Sequence, residues 1–186
     1  MNWPSDPKSR FELIWKEHRL EVLAYCMRRA SGIDAEDACA ETFLVTWRRI
    51  GEVPPPPHTR LWLYGTTRRV LANQWRSVSR RTRLEKKLGG LGVSNGLDPA
   101  LLVIQNAEDR AVVEAVRRLR PQDREIVMLD AWEELSREEI AISMGMTRPA
   151  VDQRIHRAYR RLARILEPQK MPLPVISPPV AEKGGT

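Results

Sequence analysis

Six arginines stand between residues 148 and 164, and Gln153 and His156 are set among them. A guanidinium is a planar fork of donors that pairs two-to-two with phosphate oxygens or with the major-groove edge of guanine, and glutamine pairs with adenine in the same bidentate way. The spacing sorts these groups. Pro149, Asp152, Gln153, His156 and Arg157 recur at intervals of three and four, which on a helix is one stripe, whereas Val151, Ile155, Ala158 and Leu162 form the apolar stripe behind it. The first set is therefore expected to face base edges. Arg148, Arg154, Arg160, Arg161 and Arg164 flank it, where they suit phosphates.

Such a helix needs a rigid mount, and the preceding residues supply one. Ser136 with Glu139 three residues on is a capping box that starts a short helix. Gly145 stops that helix, and Thr147 caps the next, with Pro149 near its first turn. Ile140, Ala141, Met144, Met146, Val151 and Ile155 are placed to close one small core between the two. A short helix, a tight turn and a longer basic helix are the order of a helix-turn-helix. Upstream, apolar periodicity from Leu101 to Leu119 and a fresh start at Pro121 predict two further helices.

The N-terminal half is also helical by pattern. Ile14, Trp15, His18, Val22, Tyr25 and Cys26 make a helical stripe from Phe11, with Ser9 as the expected N-cap and Ser31-Gly32 as the stop. Asp34 is placed to cap a second helix carrying Phe43, Trp47 and Ile50, which Gly51 closes. "EVPPPPHT" then rules out regular helix, because successive prolines remove donors. A third helix starts near Thr59, with Leu61, Tyr64, Leu71 and Trp75 on one face, and Arg76 to Lys87 adds six positive charges against one negative. No strand pattern of useful length occurs, so the expected fold class is all-α, in two small lobes. The expected boundaries are a first domain over 9–87, a glycine-rich linker over 88–100, a second domain over 101–167, and a proline-rich disordered tail over 168–186.

Composition narrows the function classes. With 31 basic and 24 acidic side chains, a net charge of +7 favours a polyanionic partner. Dispersed histidines, no phosphate-cradling glycine loop and no nucleophile beside a base point away from an enzyme. His18, Cys26 and Cys39 lack a fourth ligand for zinc, so no metal or cofactor is expected. There is no signal-peptide pattern and no apolar run long enough to span a bilayer, so the chain is expected to be cytoplasmic, with no membrane partner.

A helix-turn-helix with a helical N-terminal lobe also fits a regulator of the response-regulator or one-component type, whose N-terminal module binds a partner. The first lobe separates the two readings. "DAEDACAETFLVTWRRI" (34–50) followed by "LWLYGTTRRVLANQWR" (61–76) resembles conserved region 2 of bacterial sigma factors, and 119–162 resembles their region 4. The short spacer, with no middle domain, matches the extracytoplasmic-function (ECF) type of the sigma-70 family. The resemblance implies two DNA contacts and a docking surface. Asp37, Glu41, Thr42 and Phe43 correspond to the surface that docks on the clamp helices of the largest catalytic subunit of RNA polymerase core. His58, Trp62, Arg68, Arg69, Asn73, Arg76 and Arg80 correspond to the part that melts promoter DNA and captures the −10 element. The region 4 helix would read the −35 element. Departures from the family pattern are Ala40 before Glu-Thr-Phe, Arg69 and Asn73 in the third helix, and a loop with no aromatic residue. Trp62 has two readings, base-stacking and core; core is the expected one, as for Trp47 and Trp75. The resemblance leaves an anti-sigma factor open as a further partner.

Overall fold

A computed structural model describes residues 3–30, 32–87 and 107–167; side chains at 81–87 and 107–109 are outside the description. The expected linker and tail lie outside the described residues. Among those described there are seven α-helices and one 3-10 turn, with no strand. They are α1 (Pro7–Met27), α2 (Gly32–Arg48), the 3-10 turn (Ile50–Glu52), α3 (His58–Lys87), α4 (Ala107–Arg117), α5 (Pro121–Ala131), α6 (Arg137–Met144) and α7 (Arg148–Leu166). The chain divides into two compact units, the first built on α1–α3 and the second on α4, α5, α7 and the start of α6.

In the first unit α1, α2 and α3 pack pairwise. Ile14, Val22, Tyr25 and Cys26 of α1 meet Ala35, Ala38, Cys39 and Phe43 of α2 and Leu61, Leu63, Tyr64 and Leu71 of α3, all buried. Small residues on α2 let the helices approach closely, and the Tyr25 and Tyr64 rings stack at 4.7 Å. Three threonines sit inside this core because each hydroxyl donates to the carbonyl one turn earlier: Thr42 to Ala38, Thr46 to Thr42 and Thr67 to Leu63, at 2.7, 2.8 and 2.8 Å. Arg29 is also fully buried; its Nη1 donates to the Tyr25 carbonyl at 3.1 Å and its guanidinium lies 3.5 Å from the Tyr25 ring centre. Cys26 and Cys39 are buried and not joined in a disulfide, and burial pushes the Cys39 thiol up.

One polar node joins α1 to α3. Glu21 accepts from the Tyr64 hydroxyl at 2.8 Å, lies 3.1 Å from His18 Nδ1, and pairs with Arg60 at 3.5 Å. Burial alone would raise the Glu21 pKa, but His18, Tyr64 and Arg60 outweigh it and hold the carboxyl below its ordinary value.

The second unit is held by α7. Ala158, Leu162 and Leu166 on its inner face join Ala115, Val116 and Leu119 from α4 and its end, with Val127 of α5. Val151 and Ile155 continue the same face and are buried, as are Ile140 and Ala141 from the start of α6; Met146, expected in the core, is only half-buried. The capping box is formed as its spacing implied: Ser136 N–H donates to Glu139 at 2.8 Å, and Glu139 N–H to Ser136 Oγ at 3.3 Å. Gly145 has φ +63°, and Met146 N–H donates to the Ala141 carbonyl at 2.9 Å, the closure that a left-handed residue allows at a helix end. The end of α5 uses the same device without a glycine. Glu134 takes φ +52°, and Leu135 N–H reaches the Leu129 carbonyl at 3.1 Å.

Several expected boundaries shift. Asp6, not Ser9, caps α1; its carboxylate accepts from both Ser9 N–H and Ser9 Oγ at 2.8 Å, with Pro7 at the first helical position. α2 begins at Gly32, so Asp34 falls in its first turn, and it ends at Arg48, ahead of Gly51. Thr147 occupies the N-cap of α7, but its hydroxyl makes no capping bond.

Candidate functional site

The α7 stripe is formed as the spacing requires. Pro149, Asp152, Gln153, His156 and Arg157 are all exposed, opposite the buried Val151, Ile155, Ala158 and Leu162. What the spacing did not show is how much of the charge is already paired. Arg148 lies 3.1 Å from Glu138 and 3.6 Å from Asp152, and Asp152 lies 3.9 Å from Arg137. The Arg137 guanidinium in turn donates to Asp130 at 2.7 Å, and the Tyr159 hydroxyl donates to the other Asp130 oxygen, also at 2.7 Å. Burial, then the Asp130 acceptor and its charge, push the Tyr159 phenol well up, so it stays a donor. This chain of alternating charges ties α5, α6 and α7 together and reaches the stripe at Asp152.

The packing engages two of these residues. Arg154 was expected on phosphate, yet it is half-buried and paired with Asp123 of α5 at 2.9 Å, so it anchors α7 instead. Asp152 stays exposed on the stripe, with Arg148 at 3.6 Å and Arg137 at 3.9 Å, both beyond hydrogen-bond length. Arg160, Arg161 and Arg164 are exposed further along α7, and Arg157 lies within 3.5 Å of the Gln153 carbonyl oxygen.

On α3, helical geometry brings most of the expected residues together. His58, Trp62, Arg69, Asn73, Arg76 and Arg80 fall within roughly 40° of one line along the helix. His58, Arg69, Asn73, Arg76 and Arg80 are exposed and Trp62 is half-buried. The Arg76 guanidinium bonds the Asn73 carbonyl oxygen, and the Arg49 guanidinium lies 5.9 Å from the Trp62 ring centre. The stripe thus runs from an aromatic end to a cationic end. Arg68 is off it, half-buried, and its Nε has no hydrogen-bond partner among the described residues. The loop before α3 is held by the Thr59 hydroxyl, which donates to the Pro54 carbonyl at 2.7 Å, leaving Pro55–His58 exposed.

The α2 surface needs the largest correction. Asp37 and Glu41 are exposed, but Thr42 and Phe43 are fully buried. Thr42 spends its hydroxyl on its own helix. Phe43 packs edge-on to Trp15 at 4.6 Å, so both support the surface from below. In their place the helix turns outward Leu44 and Trp47, seven and ten residues after Asp37, with relative exposures of 41% and 46%. Trp47, expected in the core, instead meets Phe11 edge-on at 5.3 Å with its other side open. The exposed α2 stripe is acidic at one end and indole-bearing at the other.

No group of His, Cys, Asp or Glu among the described residues is arranged to hold a metal, and no helix described is long and apolar enough to cross a membrane.

Comparisons with known proteins follow the same division. Residues 14–81 match the family described as Sigma-70 region 2, and residues 109–162 match Sigma-70, region 4. The chain is 34% identical to the ECF RNA polymerase sigma factor BldN of Streptomyces coelicolor, over 84% of this chain and 60% of that protein. It is 30% identical to the probable RNA polymerase sigma factor RfaY of Xanthomonas campestris, over 67% of this chain and 32% of that protein. It therefore spans less than two thirds of either relative's length. Among solved structures, the sigma factor RpoE of Bartonella quintana, in complex with the anti-sigma factor NepR, has the same fold. Its TM-score is 0.61 at 21% identity, over 86% of this chain and 96% of that one.

Proposed function

We propose, from the premise that this chain belongs to the sigma-70 family and to its extracytoplasmic-function group, that it binds RNA polymerase core and directs promoter-specific initiation of transcription. The domain over 9–87 docks on the clamp helices of the largest catalytic subunit through Asp37, Glu41, Leu44 and Trp47 on α2. The α3 stripe recognises and melts the −10 element: Arg69, Arg76 and Arg80 follow the single-stranded backbone while Trp62 and His58 meet an extruded base. The domain over 101–167 places α7 in the major groove of the −35 element, with Gln153 and His156 at base edges. The protein acts as a binding factor without catalysis, in the cytoplasm where polymerase and promoter meet. An anti-sigma factor fits as a further partner, because the structural neighbour was solved with one.

The observation that carries this reading is the coincidence, on one chain, of an acidic-aromatic stripe on α2, an aromatic-cationic stripe on α3 and a groove-reading stripe on α7. A helix-turn-helix regulator of the response-regulator or one-component type needs only the last. Run-off transcription with polymerase core tests it. Wild type is expected to give promoter-specific transcripts, and the charge reversal Asp37→Arg with Glu41→Arg is expected to abolish core binding while far-UV circular dichroism stays unchanged. Binding to DNA alone, with no stoichiometric association with core, would refute the proposal in favour of the regulator.

A further inference from the structure

The second unit carries a concave site that continues the exposed face of α7 beyond the groove-facing stripe and shares Arg157 with it. A cleft of about 510 Å³ opens between the N-terminal end of α5 and the second half of α7, and six arginines and one aspartate line it. The aspartate, Asp123, is already neutralised by Arg154 at 2.9 Å. Arg157, Arg161 and Arg164 stand at i, i+4 and i+7 on α7, so they line one wall, and Arg160 stands at the rim. Arg120, just before Pro121 on α5, forms the other wall. Arg120, Arg160, Arg161 and Arg164 have no carboxylate partner among the described residues.

This arrangement is unfavourable by itself. Like charges at i and i+4 (Arg157 with Arg161, Arg160 with Arg164) weaken an isolated helix, and converging walls concentrate their positive potential even though each side chain is exposed. A convex arginine face suits phosphates met one at a time; guanidiniums converging from two helices suit several phosphates close together, each taken by a two-donor fork.

We infer that this cleft is a phosphate-chelating site that holds two or more closely spaced phosphate groups, with Arg120 as the member contributed from outside the basic helix. The groups come either from consecutive phosphodiesters of the DNA strand beside the −35 contact or from a free oligophosphate. Only the first source rests on the function proposed above.

Isothermal titration of the full chain with tripolyphosphate, and of tripolyphosphate-loaded protein with a −35 duplex, tests the site. Wild type is expected to bind tripolyphosphate saturably at one site, and Arg120→Gln to bind it about tenfold more weakly. Arg120 makes no side-chain capping bond, and circular dichroism checks that the variant is folded. If DNA is the source, the duplex displaces tripolyphosphate, and Arg120→Gln lowers the slope of log affinity against log salt by about 0.9 with no change in preferred sequence. If a free oligophosphate is the source, tripolyphosphate binds and the duplex fails to displace it. The absence of saturable tripolyphosphate binding, or binding indifferent to Arg120→Gln, overturns the site. Gln153→Ala separates the two conclusions: it is expected to relax −35 preference and leave tripolyphosphate binding intact. A chain with no −35 preference that still bound tripolyphosphate through Arg120 would refute the promoter function and leave the cleft standing.

Discussion

Asp130 is the carboxylate on which the mounting of α7 converges, and its removal has a calculable effect. Oδ1 accepts from Arg137 and Oδ2 from Tyr159, both at 2.7 Å, and the side chain is one fifth exposed. Hydrogen bonds to a charged group contribute about 1.5–3 kcal/mol each when dry. Water reaches part of this site, so Asp130→Ala is expected to cost the second unit about 2 kcal/mol in total. Since about 1.4 kcal/mol is a factor of ten, α7 amides that exchange through opening of the unit should exchange about 30-fold faster. Tyr159→Phe removes one of the two bonds and should cost about 1 kcal/mol, close to fivefold. The double variant should match Asp130→Ala alone, because the phenol has already lost its partner. Hydrogen exchange of the full chain measures all three, with α1–α3 amides as internal reference. Acceleration of α7 by less than about threefold in Asp130→Ala, or equal acceleration of α1–α3, would refute the account of Asp130 as the tie between α5, α6 and α7.

Three other outcomes follow from the geometry. Glu21 has its pKa depressed in the folded chain, so its contribution is present above its ordinary value of 4.5 and lost as pH falls through the lower folded value; Glu21→Gln should flatten the acid limb of first-unit stability measured by thermal melts below that pH. Glu134 has φ +52° at the end of α5, so Glu134→Gly should stabilise the second unit by roughly 0.5–1 kcal/mol, read as a raised denaturant midpoint; a drop would mean the side chain matters more than its backbone. Arg69→Ala with Arg76→Ala should slow open-complex formation on duplex promoters and be partly rescued on a pre-melted bubble, and equal losses on both templates would reassign the α3 stripe to docking or folding.

Local chemistry was legible where a few adjacent residues decide it. Ser136 with Glu139, Gly145, and the inward run Val151, Ile155, Ala158 and Leu162 each obey a short-range rule, and each stands where that rule puts it. The cap of α1 was misplaced because Asp6 and Ser9 are both good capping residues three apart; Pro7, which favours the first helical position, favours Asp6. Trp47 differs for another reason. Periodicity identifies the face of a helix, but not how wide an arc its neighbours cover, and Trp47 lies one step beyond Phe43, the outermost member of the buried arc of α2. Phe43 erred in the opposite sense, since the motif that carried it into the docking set holds both surface and supporting residues. The pairing of Arg154 with Asp123 spans 31 positions, and the cleft joins Arg120 to Arg164. No periodicity links such distant residues; only the packing of α5 on α7 does.

The two buried cysteines make the chain a ready host for reporter groups. A thiol reacts with a maleimide or a nitroxide reagent as its thiolate. Cys39 is shielded and its thiol is pushed up, and Cys26 lies wholly inside the first unit. Both native thiols should therefore stay silent under mild labelling, without the substitutions such work usually needs. A single cysteine introduced on an exposed helical turn, at Ser77 of α3 or Gln122 of α5, would then carry the only dye, and its signal would follow one unit at a time as the chain meets polymerase and promoter.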